Sequence, residues 1–260
     1  MFLGGWSLSH AAEPVPVELQ EVGIEENLGD AISLDLEFVD ETGAPVPLRA
    51  FFDGEHPVLL NLVYYECPNL CNFLLNGFTE GLTGLRWTAG DEFQIVTVSI
   101  DPREGPELAA TKKEAYLKLY KRSEAREGWH FLTGSESHVR QLAQEIGFRY
   151  RYDEDQKQYA HAAAVFVLTP QGEISRYLYG IDYPPRDLKL ALLEASQGKI
   201  GNPVDKFLLF CYHYDPKGRR YALFATNLMK IAGGATVVGI IAFLFYLGIQ
   251  HRRKENVSVT

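Results

Sequence analysis

The segment "NLVYYECPNLCN" (residues 61–72) sets two of the chain's three cysteines, Cys67 and Cys71, four positions apart behind an apolar run. That spacing puts side chains on neighbouring turns of one helix face, so both sulfurs can hold one ion or each other. Three chemistries are open: a structural disulfide, a redox couple and a metal site. A bridge closing so small a loop removes little entropy from the unfolded chain and makes a poor staple. At a helix start, exposed N–H groups and the helix dipole stabilise thiolates, which improves them as ligands and as nucleophiles. Two thiolates suit soft ions such as copper or zinc and reject magnesium and calcium. Pro68, between the cysteines, suits a helix opening.

Two thiolates seldom complete a metal site, and the chain has seven histidines to add to them. His161, in "YAHAAAVF", is expected to open a strand and reach an open rim of the domain beside the helix start, with Ala162, Ala163 and Ala164 leaving room around it. Taken alone, such a histidine reads as a hydrogen-bonded core or surface residue; the pairing with the cysteines is what recommends it. Asp101, before Pro102, reads on its own as a turn or helix-cap residue. Cys211 and His213, in "FCYHYDP", would project to the same side of an extended strand and form a candidate second site for a soft metal, against the plainer reading of a buried thiol in an aromatic cluster.

The elements that must position these residues follow an α/β pattern. "AISLDLEFVDETGAPVPL" alternates apolar and polar residues and turns at Gly43, as a half-buried hairpin does. "PVLLNLVYY" (residues 57–65) is apolar almost throughout, the mark of a central strand covered on both faces. Cys71, Leu74, Leu75, Phe78 and Leu82 then fall at helical spacing, so Cys67 belongs to the turn and Cys71 to the first helical turn. "FQIVTVSI" (93–100) reads as a second buried strand and residues 106–120 as a helix with Pro106 in its first turn. A third helix covers "ESHVRQLAQEIG", with Val139, Leu142, Ala143 and Ile146 as its stripe. "AAAVFVLTPQGEISRYLYG" gives a hairpin, and "PPRDLKLALLEAS" a closing helix. Together these predict a sandwich with a mixed central sheet flanked by helices.

The chain of 260 residues is 46% hydrophobic and 12% aromatic, enough for one substantial core. A net charge of -9 leaves no broad basic surface for a phosphate backbone, so nucleic acid is excluded as a partner. "IAGGATVVGIIAFLFYLGI" (231–249) runs without a charge for about the length a helix needs to cross a bilayer. "HRRKE" follows and holds the C-terminus in the cytoplasm, which places the preceding domain on the periplasmic or extracytoplasmic side. "MFLGGWSLSHAAEP" resembles the remnant of a signal peptide. The expected organisation is a leader over 1–19, the main domain over 20–200, a connecting segment over 201–228, a transmembrane helix over 229–250 and a cytoplasmic tail over 251–260.

"VYYECPNLC", "VSIDPREGP", "WHFLTG" and "AHAAAVFVLTPQGE" occur in an order and spacing that resembles the Sco/SenC family across about residues 20–200. The resemblance implies a membrane-tethered, thioredoxin-like domain that binds copper, Cu(I) or Cu(II), and helps assemble the CuA centre of cytochrome c oxidase. By position it implies Cys67, Cys71 and His161 as copper ligands, with Asp101 as an acidic residue near the site. The implied client is cytochrome c oxidase subunit II or a related CuA protein, and no turnover of a substrate is implied. The competing reading is a thiol–disulfide oxidoreductase that reduces the client's cysteines with Cys67 and Cys71. Three features depart from the family pattern: Asn72 stands where proline is usual, Glu66 where threonine or a small residue is common, and the clear span follows the domain. The Glu66 carboxylate would tune the thiolates or contact a partner.

Overall fold

The computed structural model describes residues 22–67 and 70–197, the strands at 212–215 and 220–223, and residues 229–230, 233–234, 236–241 and 243–244. Contacts divide the chain into two units, Met1–Lys199 and Ile200–Thr260.

The first unit is built on a five-stranded sheet. Its middle strand, β4 (Val58–Val63), is buried at every position, as an apolar run without alternation requires. β4 pairs in parallel with β5 (Gln94–Ser99), which pairs in parallel with β6 (Trp129–Leu132). On its other side β4 runs antiparallel to β9 (Ala164–Leu168), which forms a hairpin with β10 (Ile174–Tyr179). The two parallel steps are bridged by helices α1 (Leu70–Thr83) and α2 (Pro106–Tyr120). Both crossovers step in the same direction, so right-handed connection puts both helices on one face. Phe78 of α1 and Tyr116 and Tyr120 of α2 all pack on Trp129 of β6, with ring centroids 6.0 Å apart in each case. This buried aromatic cluster locks the two helices to the sheet.

The remaining elements frame the site end of the sheet. A small hairpin, β2 (Glu37–Val39) and β3 (Pro45–Pro47), turns through Gly43 at φ +87°. β1 (Gly23–Ile24), β7 (Phe148–Asp153) and β8 (Gln158–His161) form a second sheet, against which α3 (Glu136–Glu145) packs. α4 (Pro185–Ala195) lies on β9, β10 and α1. The expected mixed sheet and flanking helices are all present. The Val139, Leu142, Ala143 and Ile146 stripe is buried as its periodicity predicts.

Helix α1 is set in place at very close range. A Cβ added at Gly77 would lie 1.9 Å from the Ile181 carbonyl oxygen, and one at Gly81 2.2 Å from that of Tyr183. Backbone meets backbone there, and only glycine permits it. The same loop is tied to the short link after the candidate histidine, because the Gly180 N–H donates to the Ala163 carbonyl at 2.9 Å.

In the second unit β11 (Tyr212–Asp215) pairs antiparallel with β12 (Arg220–Leu223), placing His213 opposite Ala222. Cys211, the other half of the candidate second site, lies outside the described residues. Among the described residues no helix is long and apolar enough to cross a membrane. The expected span over 229–250 is described only in part. Its described residues are helical, and Val237, Val238, Ile240, Ile241, Phe243 and Leu244 are all more than half exposed.

Candidate metal and thiol site

The site forms where β4 passes into α1. Cys67 ends the connecting turn and Cys71 is the second residue of the helix, as the spacing predicts. The turn is closed by three local bonds. The Cys67 N–H donates to the Tyr64 carbonyl at 3.3 Å, the Asn72 side-chain amide donates to the Cys67 carbonyl at 2.8 Å, and the Cys71 N–H donates to the Cys67 sulfur at 3.3 Å. Asn72, at the position usually held by proline, thus acts as a brace across the cysteine turn. The Cys71 contact is the helix-start amide effect expected for a stabilised thiolate.

His161 arrives from the second sheet. It closes β8 rather than opening a strand, since Ala162 and Ala163 separate it from β9. The sequence reading missed the β7–β8 hairpin, although Phe148, Tyr150 and Tyr152 alternate strictly with Arg149, Arg151 and Asp153 along β7, a period-two signal that would have found it. The histidine nevertheless reaches the cysteines: Nε2 is 3.0 Å from the Cys71 sulfur. Its Nδ1 lies 2.9 Å from the Ala162 carbonyl, which can only accept, so Nδ1 carries a proton and Nε2 is the nitrogen turned to the sulfur.

The expected open rim is closed in this structure. Cys67 is 5%, Cys71 1% and His161 7% exposed, and both cysteines are free thiols. Tyr64 and Phe148 cover the imidazole, with centroids 6.0 and 5.9 Å from it. The three groups sit in a hydrogen-bonded cluster. Among the described residues no set of three His, Cys, Asp or Glu side chains forms a ready-made metal cage.

Electrostatics separate the two thiols. The Cys71 thiol hydrogen bond is the largest influence on Cys67 and, with the His161 ring, the Tyr64 hydroxyl and the Cys71 N–H, outweighs burial; the Cys67 pKa falls from 9.0 to about 3. Burial drives the Cys71 thiol the other way, assisted by the neighbouring Cys67 thiolate. The pair therefore presents one anionic sulfur and one neutral sulfur. The same charges reach Tyr116 on α2, whose phenol burial and the nearby cysteines push up to about 12.

Asp101 stands just beyond β5, two residues removed from the thiols. Its carboxylate accepts the Arg103 N–H at 2.9 Å and the Arg103 guanidinium at 2.6–3.2 Å, the turn arrangement expected of its position. Burial opposes ionisation, but the Arg103 bonds prevail and hold this carboxyl below its usual range. Asp101 also meets the Tyr159 hydroxyl. Tyr159 packs on Tyr64 at 5.4 Å, and Tyr64 bonds Cys67, so aromatic side chains connect Asp101 to the thiolate. Glu66 is exposed at the lip of the turn.

Glu104 escaped the sequence reading. Its carboxylate, 9% exposed, accepts the backbone N–H groups of Tyr65 and Glu66, both at 2.7 Å, and the Ser99 hydroxyl. Burial raises this carboxyl above the usual range despite those donors. In the sequence it stands inside "DPREGPE", where nothing sets it apart from the other acids.

A thioredoxin-like α/β domain carrying a helix-start dithiol with a strand-borne imidazole against it is what the fold and site define. The SCO1/SenC family model matches residues 25–192, and the chain belongs to that family. No curated protein matches by sequence. Among solved structures, a protein of Aquifex aeolicus VF5 is 24% identical, aligns over 65% of this chain and 94% of its own, and superposes with a TM-score of 0.58. A second protein from the same organism, also 24% identical, aligns over 65% and 98% with a TM-score of 0.50. BsSco, a member of the Sco family of cytochrome c oxidase assembly proteins with a disulfide switch, is 20% identical over 66% of this chain and 97% of its own, with a TM-score of 0.52.

Proposed function

We propose that this chain is a membrane-anchored metallochaperone. It holds copper through Cys67, Cys71 and His161 outside the cytosol and delivers it to, or prepares, the CuA site of cytochrome c oxidase subunit II or a related CuA protein. The observation that carries this reading is the 3.0 Å approach of His161 Nε2 to the Cys71 sulfur, with the Cys67 thiolate alongside. Sulfur favours Cu(I) and imidazole nitrogen also serves Cu(II), so this donor set tolerates both oxidation states. Copper is cargo here, and transfer proceeds by exchange of these ligands for those of the client. Family membership supports the link to oxidase assembly. Anchoring through residues 229–250 is supported by the exposed apolar helical residues from Val237 to Leu244.

Cu(II) added to the reduced full-length protein in detergent should raise a sulfur-to-copper charge-transfer band. The band should vanish in Cys67→Ser, Cys71→Ser and His161→Ala. A wild-type protein that gives no band and no Cu(I) binding sinks the proposal.

The Cys67 thiolate favours a second, reductase reading. It would attack a client disulfide, forming a mixed disulfide and releasing one client thiolate; Cys71, once deprotonated, would displace the second thiolate and leave a Cys67–Cys71 bridge. The raised pKa of Cys71 slows that resolving step, which is why copper handling is placed first. Rapid reduction of a mixed disulfide by a protein that binds no copper would reverse the order.

A further inference from the structure

The turn that delivers Cys67 is held by a side chain outside the ligand set. Glu104 sits near the end of the β5–α2 connection, just before the N-cap of α2, yet its carboxylate reaches across to β4's end, where one oxygen takes the Tyr65 N–H and the Ser99 hydroxyl and the other takes the Glu66 N–H. These are the two backbone amides immediately preceding Cys67. The connection is anchored in its own right, since the Glu104 N–H donates to the Asp101 carbonyl at 3.1 Å and the Ile100 N–H to that of Val63 at 2.7 Å. Tyr65 is fixed from its far end by its hydroxyl, which donates to the Thr97 and Leu132 carbonyls at 3.0 and 2.7 Å. The route from Glu104 to the sulfur is thus two residues of backbone with both ends pinned.

A neutral acceptor would satisfy these donors at lower desolvation cost, because burying an unpaired carboxylate is expensive. Among the described residues no cationic side chain lies within ion-pair distance of Glu104. Its carboxylate lies instead against the two amides that lead into Cys67, so its charge is offset when a cation occupies the site.

We propose that Glu104 is a positioning residue of the metal site: it fixes the backbone leading into Cys67 and supplies negative charge that favours the more highly charged state of the bound ion. This rests on the copper-binding reading above. Coulomb energy scales with charge, so loss of this anion penalises Cu(II) about twice as much as Cu(I).

The test uses the full chain in detergent with Glu104→Gln, which keeps the side chain's size and one acceptor oxygen, and Ser99→Ala, which removes one donor and leaves the charge. Glu104→Gln should weaken Cu(II) binding about 10-fold or more, as loss of outer contacts to metal ligands does, weaken Cu(I) binding less, and raise the potential of the bound ion. It should also speed amide exchange at Tyr65 and Glu66 relative to the rest of β4. Ser99→Ala should leave the Cu(II)/Cu(I) ratio near wild type. Unchanged potential in a folded Glu104→Gln protein, or unchanged exchange at both amides, overturns the proposal. If wild type binds no copper, the chaperone reading falls by that result, and the exchange measurement alone still decides whether Glu104 pins the turn.

Discussion

His161 Nε2 faces the Cys71 sulfur at 3.0 Å across 90 positions of sequence, while the ring's other nitrogen is held by the Ala162 carbonyl. The imidazole is therefore oriented before any ion arrives, and a side chain that lacks Nε2 at this point cannot substitute for it. His161→Ala should lower Cu(II) affinity by at least about 10-fold and remove the charge-transfer band, read by titration of the reduced protein. A band of wild-type intensity in that variant excludes His161 as a ligand.

The two cysteines should titrate separately. Cys67, depressed from 9.0 to about 3, is a thiolate at neutral pH, and Cys71 is a thiol. Ultraviolet thiolate absorbance at pH 7 should correspond to one thiolate per chain, lost in Cys67→Ser and retained in Cys71→Ser. Because the Cys71 thiol is the largest influence on Cys67, the retained thiolate should reprotonate at a higher pH in Cys71→Ser. The sign for stability follows: a folded pKa below the unfolded one contributes stability present above about pH 9 and lost as pH falls toward 3. Two thiolates at pH 7 would contradict this separation.

Gly77→Ala should strain the seat of α1. The added methyl meets the Ile181 carbonyl, a backbone atom, so relief requires moving the helix or the loop. A loss of about 2–3 kcal/mol or more is expected in chemical denaturation, together with weaker copper binding, because the same helix carries Cys71. A wild-type unfolding curve would show that this close packing is not retained in solution.

Asp101→Asn keeps the side chain's shape but gives up a charge-assisted fork with Arg103. Because Arg103 is largely exposed, the loss should be modest, about 1–2 kcal/mol at pH 7. With a folded pKa below the usual 3.8, the wild-type advantage is present above that value and should vanish as pH falls through the lower folded pKa. An advantage that persists at lower pH would assign the effect to something other than this ionisation.

The sequence made the central strand, both crossover helices and the cysteine-bearing turn legible, because uninterrupted apolar runs and 3.6-residue stripes announce buried elements directly. Cys67 and Cys71 stood out by spacing alone. His161 needed a partner: no local pattern reveals that a residue closing an irregular, tyrosine-rich strand will meet a helix 90 positions away. The β7–β8 hairpin was missed although β7 alternates aromatic and charged residues, the pattern of a half-buried strand. Glu104 left no signal, since its function lies in which amides it reaches. Asp101 proved to be a turn residue engaged with Arg103, as a purely local reading holds, although its contact with Tyr159 connects it to the site.

The proposed ligands come from separate parts of the fold, two from the β4–α1 junction and one from the end of β8. A nascent polypeptide therefore has a dithiol but no assembled three-residue site, and metal loading on the proposed ligands must await collapse of both sheets. Copper captured afterwards reinforces the native state by mass action, so an empty protein should be the more readily degraded form.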